Sequence, residues 1–183
     1  MDVQTPAPTG TGATPQDQDL DPIKLRAFQQ QLEEQQNLSL AVAGGAVAAV
    51  IGAAVWAAIT VATKFQIGWM AVGVGFLVGF AVQRLGKGVA KTFGLVGAVF
   101  ALLGCLLGNL MSACGFLATE KSVSFLHVLV ATLQNPGLAV DLLKAAFTPM
   151  DLLFYGIAVY EGYRFSFRRV TPAELARLAK TPR

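Results

Sequence analysis

Between Leu40 and Gly115 the chain carries only four charged side chains, Lys64, Arg84, Lys87 and Lys91, and they divide otherwise apolar sequence into three long runs. A helix needs about 20 apolar residues to cross a hydrocarbon layer of about 30 Å, with about 17 as the lower limit. The runs therefore predict membrane-spanning helices at about 40–63, 66–83 and 93–118. The second is the shortest: either it extends through Gln66 and Gln83, with their amides directed to the headgroups, or it sits where the bilayer thins locally. Trp69, near one end, fits the interfacial aromatic belt. Composition agrees: 54% of the residues are hydrophobic, 14% are charged and mean hydropathy is +0.56, against roughly a quarter charged in an ordinary soluble domain.

A fourth span is predicted over about 149–167, where Phe147 to Arg169 reads FTPMDLLFYGIAVYEGYRFSFRR. Thr148, Pro149 and Asp151 fit the N-cap, N1 and N3 positions of a helix start, so Asp151 is expected to close a capping box. Glu161 lies about 18 Å further along such a helix, at 1.5 Å per residue. A carboxylate at that depth must be protonated, paired, or turned to protein or water. Arg164, three residues on and on the same face, is the expected ion-pair partner, its guanidinium reaching outward; a proton or cation site is the alternative role.

Residues 122–147 are neither loop nor span. Asn135-Pro136-Gly137 splits them into two helical pieces, each too short to cross. They are read as helices lying flat on the outer surface, or as a re-entrant hairpin buried against protein. The expected fold is thus an all-α integral membrane protein with four transmembrane helices and a pair of short interfacial or re-entrant helices between the third and fourth spans.

Within the third span Gly97, Ala101, Gly104, Gly108, Ser112 and Gly115 recur three or four residues apart. Gly68, Gly75 and Gly79 share a face of the second span, as do Ala46, Ala49, Ala53, Ala57 and Thr60 of the first. Such seams let helix backbones approach closely in lipid. They are expected to pack within one bundle, or to face a second copy or a partner protein. Asn109, beside the third-span seam, is expected to hydrogen-bond across helices or to line a polar path. Cys105 and Cys114, on the same helix, face different directions and cannot bridge.

With four spans, both tails and the central connection share one side, and that side holds eleven of the 14 basic residues. Lys64, Lys121 and Lys144 are the exceptions. The positive-inside rule then puts both termini in the cytoplasm, with a bacterial inner membrane as the default location. Residues 1–19, poor in large apolar side chains, are expected to be a disordered tail. Residues 20–38 read as a juxtamembrane helix opened by Asp21 and Pro22, and 170–183 as a short basic tail suited to anionic headgroups. With no basic n-region preceding an apolar stretch near Met1, the first span is expected to act as its own insertion signal.

Chemistry-bearing motifs are missing from the sequence. The stretch around Gly86-Lys87-Gly88 lacks the strand and the Ser/Thr of a phosphate loop. The single histidine, His127, has no ligand company, and the carboxylates are too dispersed for paired acid–base work. No enzymatic activity, cofactor or nucleic-acid partner is expected. The sequence reads as an assembly, scaffold or accessory component acting through helix–helix packing, its partners the lipid bilayer and either a homo-oligomer or another membrane protein. The alternative is a small channel or carrier for protons, ions or a small solute, using Glu161 and Asn109.

Overall fold

The computed structural model describes residues 22–169; the tails expected over 1–19 and 170–183 and the proposed Asp21 cap lie outside these residues. Every element among them is a helix: α1 (Pro22–Glu34), α2 (Leu38–Thr63), α3 (Trp69–Gly86), α4 (Lys91–Lys121), α5 (Phe125–Gln134), α6 (Pro136–Ala146) and α7 (Pro149–Phe165). Residues 32–169, holding α2 to α7, form one unit, whereas residues 22–31 of α1 fall outside it. Three helices, α2, α3 and α4, are long and apolar enough to cross a membrane, and α5 with α6, bent by 114° at their break, would make a fourth if the pair counts as one span. α7, read above as the fourth span, has 17 residues, at the lower limit for crossing.

Helix ends follow local chemistry. Asn37 caps α2, its Oδ1 accepting from the Leu40 amide at 2.9 Å. α2, α3 and α4 are terminated by Lys64, Lys87 and Ser122 in the left-handed conformation, with φ of 59°, 50° and 54°, a role more often given to glycine. The turn at Lys64 moves the start of α3 from the expected residue 66 to Trp69 and leaves Gln66 in the connection. At the far end α3 runs on to Gly86. The predicted cap of α7 is present: Asp151 is buried, and its Oδ2 accepts from the Thr148 amide at 2.7 Å and from the Thr148 hydroxyl at 3.0 Å. Pro136, which has no amide hydrogen to donate, opens α6 where α5 stops.

α3 and α4 form a central pair, and α2 and α7 each pack against both of them. α7 runs parallel to α3: Gly68 lies beside Phe154, Gly75 against Ala158 and Gly79 against Phe165. Both run opposite to α4, whose Gly97 meets Gly162. The main core gathers Trp56, Val74, Val78, Val82, Tyr155 and Ala158. All six residues of the α4 seam are buried, and five of them are seen to be matched within the chain. Gly97 and Ala101 meet Gly162 of α7, Gly104 meets Val74 and Ala49, Gly108 meets Trp56, and Gly115 meets Val61.

α4, with 31 residues, is about 46 Å long, and its C-terminal half carries a second, smaller core. Leu110, Cys114 and Ala118 pack there with Val128 of α5 and Leu142 and Leu143 of α6. α5 doubles back along α4, with Cys114 Sγ donating to Thr132 Oγ1 at 3.5 Å. The pair, expected either to lie flat or to form a re-entrant hairpin buried against protein, packs on the side of α4.

The opposite end of the unit is basic. The Asn37 amide donates to the Gly86 carbonyl at 3.0 Å and the Arg168 amide to the Gly88 carbonyl at 2.9 Å, drawing together the start of α2, the α3–α4 connection and the end of α7. Arg84, Lys87, Lys91, Arg164, Arg168 and Arg169 all sit at this end, whereas Lys64 and Lys121 close the other ends of α2 and α4.

Candidate functional site: a buried amide network

Asn109 is 1% exposed, and a side-chain amide at such a position must find partners or lose the hydrogen bonds it had with water. Its partners come from two other segments. Asn109 Nδ2 donates to the Tyr155 hydroxyl at 3.1 Å, and that hydroxyl donates to the Cys105 carbonyl at 3.3 Å. Asn109 Oδ1 accepts from Gln66 Nε2 at 3.1 Å. Gln66 Nε2 also reaches the Ala146 carbonyl, at 3.5 Å. One amide thus ties the α2–α3 connection, α4 and α7 together, and through Gln66 it reaches the end of α6.

Each member is delivered by local structure. Tyr155 lies four residues after Asp151 on the buried stripe of α7 that continues through Ala158 and Gly162. Gln66 faces Asn109 because α3 begins only at Trp69, which leaves residue 66 in the connection rather than in the helix. The outward side of the network opens into a pocket of about 220 Å³ floored by Gln66, Asn109 and Ser112 and walled by Leu142, Ala145 and Ala146 of α6. The Ser112 hydroxyl is spent on the Gly108 carbonyl at 2.7 Å. Spare acceptor capacity in this pocket rests with the amide oxygens of Gln66 and Asn109.

The other predicted polar residues are not brought to this network. Glu161 lies six residues beyond Tyr155, about 9 Å further along α7. Its Oε2 is buried without a hydrogen-bond partner. The expected ion pair with Arg164 is not formed. The Arg164 guanidinium instead lies 5.9 Å from the ring centres of both Tyr160 and Phe165, where cation–π attraction and solvent access replace a carboxylate. Gln66 and Gln83, expected to extend α3 and reach the headgroups, also turn to protein: Gln83 Nε2 donates to the Phe167 carbonyl at 2.6 Å.

Two members of the network, Gln66 and Tyr155, were not singled out as site residues from the sequence. Tyr155 had a signal, its four-residue spacing from the capping Asp151, which puts both on one face of α7. Trp56 Nε1 and Thr60 Oγ1, one turn apart on the buried face of α2, also lack partners. Among the described residues no three of His, Cys, Asp and Glu converge as a metal ion would require. No protein-family model matches the chain, and no curated protein or solved structure matches it either.

Proposed function

We propose that this chain is a multi-pass membrane protein of four spans, α2, α3, α4 and α7, that acts without catalysis as an assembly or accessory component, its outer face receiving an apolar helix of a membrane partner or of a second copy. The fourth span is supported by α7 lying alongside α3 from Gly68 to Gln83. Both termini are proposed to be cytoplasmic, because the basic end of the unit holds the start of α2 and the end of α7, in keeping with an inner membrane of bacterial type.

One observation carries the packing role. The α4 seam from Gly97 to Gly108 is used up inside the bundle, but α2 keeps a second small-residue stripe, Ala54, Ala58 and Ala62, exposed along a groove of about 510 Å³ that it forms with Gly115 and Ala118 of α4. Residues of that size, four apart, let another helix backbone approach closely. Native mass spectrometry of the protein gently extracted from its own membrane tests this directly. A fixed complex with another chain or with copies of itself is expected, and Ala58→Leu is expected to reduce its recovery about tenfold or more; a strictly monomeric protein, or a complex indifferent to Ala58→Leu, would overturn the reading.

A second reading has its own observation, the unpartnered oxygen of Glu161 on the same helix as the amide network. As a conduit or carrier the chain would move protons or a small solute past Asn109 and Glu161. Flux in proteoliposomes is then expected to disappear in Glu161→Gln with insertion intact. Equal flux in the two proteins would dismiss the conduit.

A further inference from the structure

Phe165 is the hub of an aromatic cluster on the α3–α7 face. Its ring centre is 4.7 Å from that of Phe76 and 5.5 Å from that of Phe80. Two arginines share this ring, Arg164 at 5.9 Å and Arg169 at 5.6 Å from its centre. Neither has a carboxylate partner among the described residues, and Glu161, the acid nearest to Arg164 in sequence, is not bonded to either. Arg84, exposed in the last turn of α3, lies one turn beyond Phe80 on the same helix face. Beside them Phe76, Phe80 and Tyr160 are 36%, 45% and 57% exposed, an aromatic surface running from the arginines toward the middle of the bundle.

A topological preference for basic residues on the inner side explains their presence at this end. It does not explain two guanidiniums within cation–π reach of one ring with no carboxylate partner among the described residues. Guanidinium groups are planar forks suited to bidentate contact with phosphate, and cation–π attraction to Phe165 draws both toward one ring. Basic pockets between helices at the cytoplasmic surface take anionic headgroups, at about 1 kcal/mol per basic residue.

We propose that the inner end of the α3–α7 face is a binding site for one anionic phospholipid, its phosphate held by Arg164 and Arg169 with Arg84 alongside and its acyl chains laid over Phe76, Phe80 and Tyr160. The site rests on the reading of α3 and α7 as membrane spans. Charge complementarity and the adjoining apolar rings select a lipid, since a free phosphate would use the arginines and leave the aromatic surface uncovered.

The test is reconstitution of the full chain into phosphatidylcholine vesicles with and without phosphatidylglycerol, followed by native mass spectrometry of retained lipid. Wild type is expected to keep phosphatidylglycerol selectively, and Arg164→Ala/Arg169→Ala to lose that retention roughly thirtyfold. Arg164→Lys/Arg169→Lys, which keeps charge and fold but not the planar fork, is expected to fall between them. Lys64→Ala/Lys121→Ala, at the opposite end, is expected to match wild type. Unchanged retention in the alanine pair, or an equal loss in the lysine control, would overturn the site. Displacement of the lipid by inorganic phosphate would assign the arginines to a free anion and overturn the lipid assignment. Failure of wild type to enter vesicles would instead overturn the membrane reading beneath it.

Discussion

Gly75→Leu is expected to destabilise the bundle by about 3 kcal/mol or more, at the upper end of overpacking costs, whereas Gly73→Leu, two residues away on the same helix, is expected to change stability by less than about 0.5 kcal/mol. The contrast follows from what each position faces. A methyl group at Gly75 would lie 2.5 Å from the Ala158 carbonyl oxygen and 2.8 Å from the Ala158 Cα, both backbone atoms of α7. Relief would require moving one helix away from the other, with loss of the contacts made by Tyr155 and Ala158. At Gly73 no atom lies within 4 Å of the added carbon, and a leucine there projects from the outside of the bundle. Gly162 and Gly156 repeat the contrast on α7: the first would meet Ala101 Cβ and the Gly97 carbonyl oxygen at 2.7 Å, the second meets nothing. Unfolding in mixed micelles, followed by tryptophan fluorescence, reads the difference, because Trp56 is fully buried. Equal losses at Gly73 and Gly75 would mean that α3 and α7 do not meet as described.

The seams, the order of the helices and the cap at Thr148 and Asp151 were legible because each depends on spacing along a single helix. Small residues four apart mark a face, and a threonine followed by proline and aspartate marks a start, whatever else the chain does. What sequence could not reveal depends on where one helix starts. α2 ends at Thr63 as expected, but α3 begins at Trp69 rather than at 66, and no local signal announced that Gln66 would leave α3 and turn to Asn109. The Glu161–Arg164 pair failed for a related reason. Spacing put the two on one face, but Phe165, brought against Phe76 and Phe80 by the packing of α7 on α3, offered Arg164 an aromatic surface near solvent. The place of α5 and α6 was open as well: their apolar faces suit lipid and protein equally, and the second core on α4 accounts for the side they cover. Asn109 shows both limits at once. Its need for cross-helix partners was plain from its position, and their identity was not.

Asn109→Leu keeps the branching of the side chain while removing the amide, and it is expected to destabilise the chain by about 2 kcal/mol, above the average of about 0.6 kcal/mol for a single hydrogen bond between membrane helices. The larger value is expected because the Tyr155 hydroxyl and the Gln66 amide lose a partner together. Tyr155 retains the Cys105 carbonyl at 3.3 Å, and Gln66 retains only the Ala146 carbonyl at 3.5 Å. Tyr155→Phe is expected to cost about 1 kcal/mol, and in the double variant the losses should fall short of their sum by about 0.6 to 1.7 kcal/mol, the coupling of one shared bond. Full additivity would mean that Asn109 and Tyr155 do not interact. Hydrogen exchange separates the two sides of the network. Tyr155→Phe should leave the α6 amides near Phe147 protected, whereas Asn109→Leu and Gln66→Ala should both speed their exchange, because Gln66 is the link through which the amide reaches α6. If Asn109→Leu lowers stability but leaves complex formation intact, Asn109 serves the fold alone. If the complex is lost while the isolated chain stays folded, the outward pocket between α4 and α6 joins the α2 groove as a surface on which the partner depends.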